Sequence, residues 1–143
     1  MRFVAAMLAV VLLVLTGCSS HPSPTPGDLT GVTWVLDRES MRGLVRGVPA
    51  DARIDLVFDG SHVSGHAACN SYFGGYQADH ATGTLAFSEL GQTQKACDPT
   101  LMQLESAYLA ALANFTSYQV VGDQFDLLLF GGNKAFTYTP ETH

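Results

Sequence analysis

Two cysteines, Cys69 and Cys97, stand in the body of this chain, and whether they are joined constrains its fold more than any other feature. A bond between them would close a loop of about 28 residues and tie two distant segments together. Cys69 sits in Gly65 to Tyr76, GHAACNSYFGGY, among small residues and ahead of an asparagine and three aromatics. That setting leaves four roles open: nucleophile, metal ligand, half of a disulfide, or a small buried apolar residue. The choice depends on the compartment, and the N-terminus decides the compartment.

Arg2 supplies a short positive region, and Phe3 to Leu15 is an unbroken apolar run of thirteen residues. That length fits a secretory signal and falls short of the ~18 residues expected of a membrane-spanning helix. The run ends in Leu15-Thr16-Gly17-Cys18, which resembles a bacterial lipobox, in which cleavage precedes a cysteine that then carries lipid. Residues 1–17 are therefore expected to be a lipoprotein signal peptide, with Cys18 lipidated and anchoring the chain to a membrane. Ser19 to Gly27, SSHPSPTPG, holds three prolines in nine residues, so residues 18–27 read as a solvated tether. The folded domain is expected over 28–143.

Fifteen of the first eighteen residues are apolar, so the 47% hydrophobic content overstates the core. Without Arg2 the chain carries six basic and thirteen acidic side chains, a net charge of −7. An acidic domain without a basic stripe repels phosphate backbones, which excludes nucleic acid as a partner. One core of ordinary size and a monomeric domain are expected.

Outside the cytoplasm, paired cysteines usually become disulfides. A Cys69–Cys97 bridge would stabilise the domain by roughly 3–4 kcal/mol through the unfolded chain. A catalytic thiol needs a positioned base, and His66, three residues before Cys69, faces the opposite side of a strand. The disulfide is the reading adopted.

Most of the chain alternates short strands with turns. Gly31 to Leu36 is rich in β-formers, and residues 41–53 show no clear period and read as a loop, with room for a short strand. Ile54, Leu56 and Phe58 alternate with Asp55 and Val57, and Asp59-Gly60 signals a hairpin into a strand from about His62 toward Ala68. Tyr76 to Ala78 and Leu85 to Phe87 make another pair. Asp98-Pro99 starts a helix of about residues 99–113, with Leu101, Leu104, Tyr108 and Leu112 at helical spacing. Tyr118 to Val121 and Phe125 to Phe130 flank the hairpin signal Gly122-Asp123, and Ala135 to Thr139 is the last strand. The class is α+β, mainly antiparallel sheet with one helix.

Several strings carry a family resemblance. Gly31 to Leu36 reads G-x-x-W-x-L through Trp34. Cys69 to Tyr76 reads C-N-x-Y-x-G-x-Y through Asn70, Tyr72, Gly74 and Tyr76. Leu85-Ala86-Phe87 is a further, weaker piece. Thr93 to Cys97 reads T-x-x-x-C, and Glu105 to Leu112 reads E-x-x-Y-L-x-x-L. Together they resemble the META domain, the HslJ-like family of bacterial envelope proteins, over residues 29–138. One departure is Ala68, where the family usually has glycine. The resemblance implies an antiparallel sheet curved or barrel-like around one helix, and an envelope protein tied to stress tolerance. It implies no reaction and no catalytic residues.

Other constellations are weaker. His62 and His66 share a strand face but lie about 13 Å apart along it, too far for one metal ion even with His80 nearby. Asp55, Asp59 and Asp79 read as turn and surface residues. Asn114-Phe115-Thr116 matches a glycosylation acceptor, which a bacterial chain would not use. No phosphate-cradling glycine loop or G-x-S-x-G is present. Phe73, between Tyr72 and two glycines, is a candidate partner contact, against the plainer reading of a core residue. The expectation is a non-enzymatic lipoprotein without metal or cofactor that binds an envelope protein. A carrier of a small apolar ligand is the alternative, and a hydrolase ranks last.

Overall fold

The computed structural model describes residues 28–142; the expected signal peptide over 1–17, Cys18 and the expected tether over 18–27 lie outside the described residues. Eight strands follow one another round a closed barrel, each antiparallel to its neighbours. They are β1 (Thr33–Leu36), β2 (Asp55–Asp59), β3 (His62–Ala67), β4 (Asn70–Asp79), β5 (Thr84–Gln92), β6 (Ser117–Val121), β7 (Gln124–Leu128) and β8 (Lys134–Pro140). Helix α1 (Arg38–Leu44) follows β1, and α2 (Pro99–Leu112) lies between β5 and β6.

Alternating side chains send one face of each strand inward. Trp34, Phe58, Tyr72, Phe125 and Tyr138 are fully buried, and their rings meet each other and those of Phe87 and Tyr108. The Trp34 indole N–H donates to the Leu29 carbonyl at 3.1 Å, anchoring the start of the domain over the core. Two-residue turns join β2 to β3 at Gly60-Ser61 and β6 to β7 at Gly122-Asp123. Gly60 and Gly122 both hold positive φ, the conformation such turns require.

The expected helix is present. Asp98 caps it by accepting the Thr100 N–H at 2.8 Å, and Pro99 opens its first turn. Leu104, Glu105, Tyr108 and Leu112 form its buried face.

Two expectations need correction. The described residues hold two helices, because Arg38–Leu44 is α1 where residues from 41 onward read as loop. The Asp37 side chain accepts the Ser40 N–H at 2.6 Å as N-cap, and Met41 is the helix's one buried residue. A seven-residue helix with one buried side chain leaves no periodic trace. Second, β7 stops at Leu128, leaving Leu129 and Phe130 exposed in the turn to β8. The Tyr76–Ala78 and Leu85–Phe87 pair is present as expected, inside the longer ladder of β4 and β5 that runs from Tyr72↔Gln92 to Asp79↔Thr84.

Candidate functional site

Three of the family strings converge where β3, β4 and α2 meet. Cys69 occupies the β3–β4 turn, and its disulfide to Cys97 places the two Cα atoms 6.0 Å apart. Ala68 holds φ of +69°, the left-handed region, which explains why glycine suits this position. Beside it Asn70 is a hub. Its backbone N–H donates to Glu105 Oε2 at 2.6 Å, and its Nδ2 donates to Glu105 Oε1 at 3.1 Å and to the Lys95 carbonyl at 3.3 Å. Its Oδ1 accepts the Thr93 hydroxyl at 2.8 Å and the Lys95 N–H at 2.7 Å. Gln92 Nε2 completes the shell around Glu105 at 3.2 Å. Asn70 and Glu105 are both buried, 2% and 3% exposed, so each bond replaces water that cannot enter.

This clasp uses the motif side chains on one another. The C-N string, the T-x-x-x-C string and the helix glutamate form one knot that locks the first half of the helix to the sheet. Sequence reasoning singled out Asn70, Thr93 and Glu105, but not Gln92 or the Lys95 backbone, which carry no motif of their own.

A second buried row begins at Tyr72. Its hydroxyl donates to the Asp55 carbonyl at 2.9 Å and lies 3.0 Å from that of Tyr108, which lies 3.1 Å from that of Tyr138. Burial raises the pKa of all three phenols, well above the ordinary value for Tyr72 and Tyr138. They stay protonated and serve as structural donors. Gly65 makes room for this row: a Cβ there would sit 2.0 Å from the Asp55 carbonyl oxygen. Gly74 answers a similar need on β4, where a Cβ would approach the Ser88 carbonyl oxygen to 2.7 Å at a register shift in the ladder. Tyr76 is half-buried, its ring 4.6 Å from that of Phe58.

The outer face of β2–β4 is different. Phe73 is 55% exposed, its ring resting over Gly91. It stands between an open hollow of about 560 Å³ bordered by Val57, Ser64 and His66 and another of about 470 Å³ bordered by His62, Gly75 and Glu89. Asp55, expected at the surface, is buried on the floor of the first hollow. Its carboxyl accepts Arg53 Nε at 2.8 Å and the His66 backbone N–H at 2.9 Å, with His66 Nδ1 at 3.4 Å. The hydrogen bond to Asp55 raises the Arg53 pKa further. Ser71 stands opposite His66 in the ladder, yet among the described residues no hydrogen bond joins its hydroxyl to the imidazole. Among the described residues the other histidines do not assemble: His62 is exposed, and His80 Nδ1 is hydrogen-bonded to the Tyr118 hydroxyl. Asp59 and Asp79 are exposed. Among the described residues no three metal-ligating side chains gather.

No curated protein matches the chain. A protein from Burkholderia xenovorans, solved by NMR, is 32% identical with a TM-score of 0.60, over 88% of this chain and 97% of its own. A DUF4847 family protein from Bacteroides vulgatus, solved by crystallography, shares the fold at 13% identity and a TM-score of 0.59, over 80% of this chain and 96% of its own. The model of the META domain matches residues 27–142, spanning the barrel, the clasp and the tyrosine row. The chain belongs to the META-domain family.

Proposed function

We propose that the protein is a non-enzymatic lipoprotein of the bacterial envelope. In this reading Cys18 anchors it to a membrane, its META domain faces away from the cytoplasm, and it binds a partner protein in envelope stress tolerance. The supporting observation is that the motif side chains able to do chemistry, Asn70, Thr93, Glu105 and Tyr72, are hydrogen-bonded to one another or to neighbouring protein groups. A catalytic motif keeps at least one group pointing into a cleft; these hold a helix to a sheet. The family strings then encode a rigid platform, and recognition falls to what the platform displays. The exposed Phe73, flanked by Gly74 and Gly75, is the aromatic anchor such a surface offers.

The carrier alternative has less support, since the barrel interior is packed with rings. The test is in two parts. Cys18→Ala should release the protein from membranes in detergent-free fractionation, with loss of acyl mass; continued sedimentation with membranes refutes the anchor. Phe73→Ser should abolish capture of the envelope partner with an unchanged unfolding midpoint. A marked fall in that midpoint, or undiminished capture, refutes the docking role.

A further inference from the structure

The strands run alternately up and down, so the β2–β3, β4–β5 and β6–β7 turns lie at the end of the barrel where the domain begins. That end carries Asp28, Asp59, Asp79 and Asp123, and neither its three turns nor residues 28–32 hold a Lys or Arg. A hollow of about 290 Å³ opens there, bordered by Asp28, Ser61, Tyr76 and His80. Thr30 donates to Asp28 Oδ1 from its hydroxyl at 2.7 Å and from its backbone N–H at 2.9 Å. Those two bonds lower the carboxyl pKa, so Asp28 is charged at neutral pH. Burial, and after it the charges of Asp28 and Asp59, raise the Tyr76 pKa, so the phenol keeps its proton beside the carboxylates. Among the described residues no hydrogen bond engages Asp28 Oδ2 or the Tyr76 hydroxyl. His80 borders the same hollow, with its Nδ1 engaged by Tyr118.

We infer that this end of the barrel rests on the bilayer, with the hollow at Asp28 and Tyr76 taking the ammonium of an ethanolamine headgroup; the inference rests on the proposed lipidation of Cys18. Two observations choose that occupant. The first is where the chain leaves the domain. Asp28 borders the hollow and is also the residue from which the tether runs to Cys18, ten positions away. A fully extended chain covers ~3.3–3.6 Å per residue, so the hollow stays within about 35 Å of the lipid. A single weak contact then forms at high effective concentration. The second observation is charge. Aspartates without a neighbouring Lys or Arg complement an ammonium and are repelled by anionic headgroups. A primary ammonium donates hydrogen bonds, which suits Asp28 Oδ2 and the Tyr76 hydroxyl, and the Tyr76 ring offers it a cation–π face. A choline headgroup has no N–H to donate. Phe73, on the side wall of the barrel, stays open to a protein partner.

The test uses the processed protein carrying Val121→Trp, reconstituted into phosphatidylcholine vesicles that hold a trace of dansyl-labelled lipid, with and without phosphatidylethanolamine. Val121 is exposed beside the β6–β7 turn, and Trp34, the one native tryptophan, is buried and gives a constant background. An ammonium over an exposed ring shifts an equilibrium by roughly twofold to fivefold, so phosphatidylethanolamine should raise energy transfer from position 121 about twofold. Asp28→Asn should abolish that rise. Leu129→Trp, at the opposite end of the barrel, should show none. Equal transfer with and without phosphatidylethanolamine, or a rise that survives Asp28→Asn, overturns the headgroup site and leaves the anchor standing. An equal rise at position 129 overturns the orientation and the proposal with it. Failure of the protein to float with the vesicles refutes the anchor, and this inference falls too.

Discussion

Helix α2 meets the barrel at both of its ends, and the two ends are held in opposite ways. Ahead of its start and along its first half, the Cys69–Cys97 bridge and the bonds among Asn70, Thr93 and Glu105 tie side chains from three segments together. After its end, the sheet closes through the single pair Thr84↔Ser117, with the Leu85 N–H on the Thr116 carbonyl and the Tyr118 N–H on the Gly83 carbonyl. The start needs particular residues in particular places; the seam between β5 and β6 needs only backbone, with Leu85 and Tyr118 buried behind it.

Breaking the start should therefore cost most. Reducing the disulfide should lower stability by about 3–4 kcal/mol from loop entropy, read as a shift in urea midpoint with and without reductant. A native protein with an alkylatable thiol at Cys69 or Cys97 would contradict the bridge. Glu105→Ala follows, at about 3 kcal/mol, because it strands buried N–H donors of Asn70. An unchanged midpoint would show that water can take the place of the carboxyl group.

The next effects are smaller and sharpen the contrast. Asp98→Ala removes the helix cap and should cost about 1 kcal/mol; no loss would mean that the disulfide alone fixes the helix start. Asp126 on β7 supplies a control away from both ends. Burial pushes its carboxyl pKa up, but donation from Lys134, Gln119, Gln124 and Thr137 outweighs this and holds it below the ordinary value. Its stabilising contribution is complete above the unfolded-state value, near 4, and is lost as pH falls through the lower folded-state value. Asp126→Asn should thus flatten the acid limb of the midpoint–pH curve; an identical limb in both proteins would contradict this. Last, hydrogen exchange should find the Leu85 and Tyr118 amides opening faster than those along β3 and β4, with global stability unaffected. Equal protection would show the seam to be as firm as the clasp.

Much of this was legible in the sequence, for reasons that differ by element. Asp59-Gly60 and Gly122-Asp123 demand local conformations that few other residues tolerate, so both hairpins could be placed from two letters each. Asp98-Pro99 did the same for α2. Helix α1 was hidden because its cap, Asp37, leads into a segment with one buried residue. Asp55 was misread as surface because alternation alone cannot show that Arg53 and the His66 backbone cover it. In the candidate site, Asn70, Thr93 and Glu105 could be named from the family strings. That they bond to one another could not, since 35 residues separate Asn70 from Glu105.

The tyrosine row has a further consequence. A phenol carries one proton, and the Asp55 carbonyl can only accept. Tyr72 therefore donates to Asp55, Tyr108 must donate to Tyr72, and Tyr138 must donate to Tyr108. The row has a single sense, running from β8 through α2 and β4 to β2. Its ends are not equivalent. Tyr138→Phe leaves the other two protons in place, whereas Tyr72→Phe removes the acceptor of Tyr108 and leaves the Asp55 carbonyl without that donor. Three strands and a helix thus share one polarity, set by an atom of the main chain that no substitution can turn around.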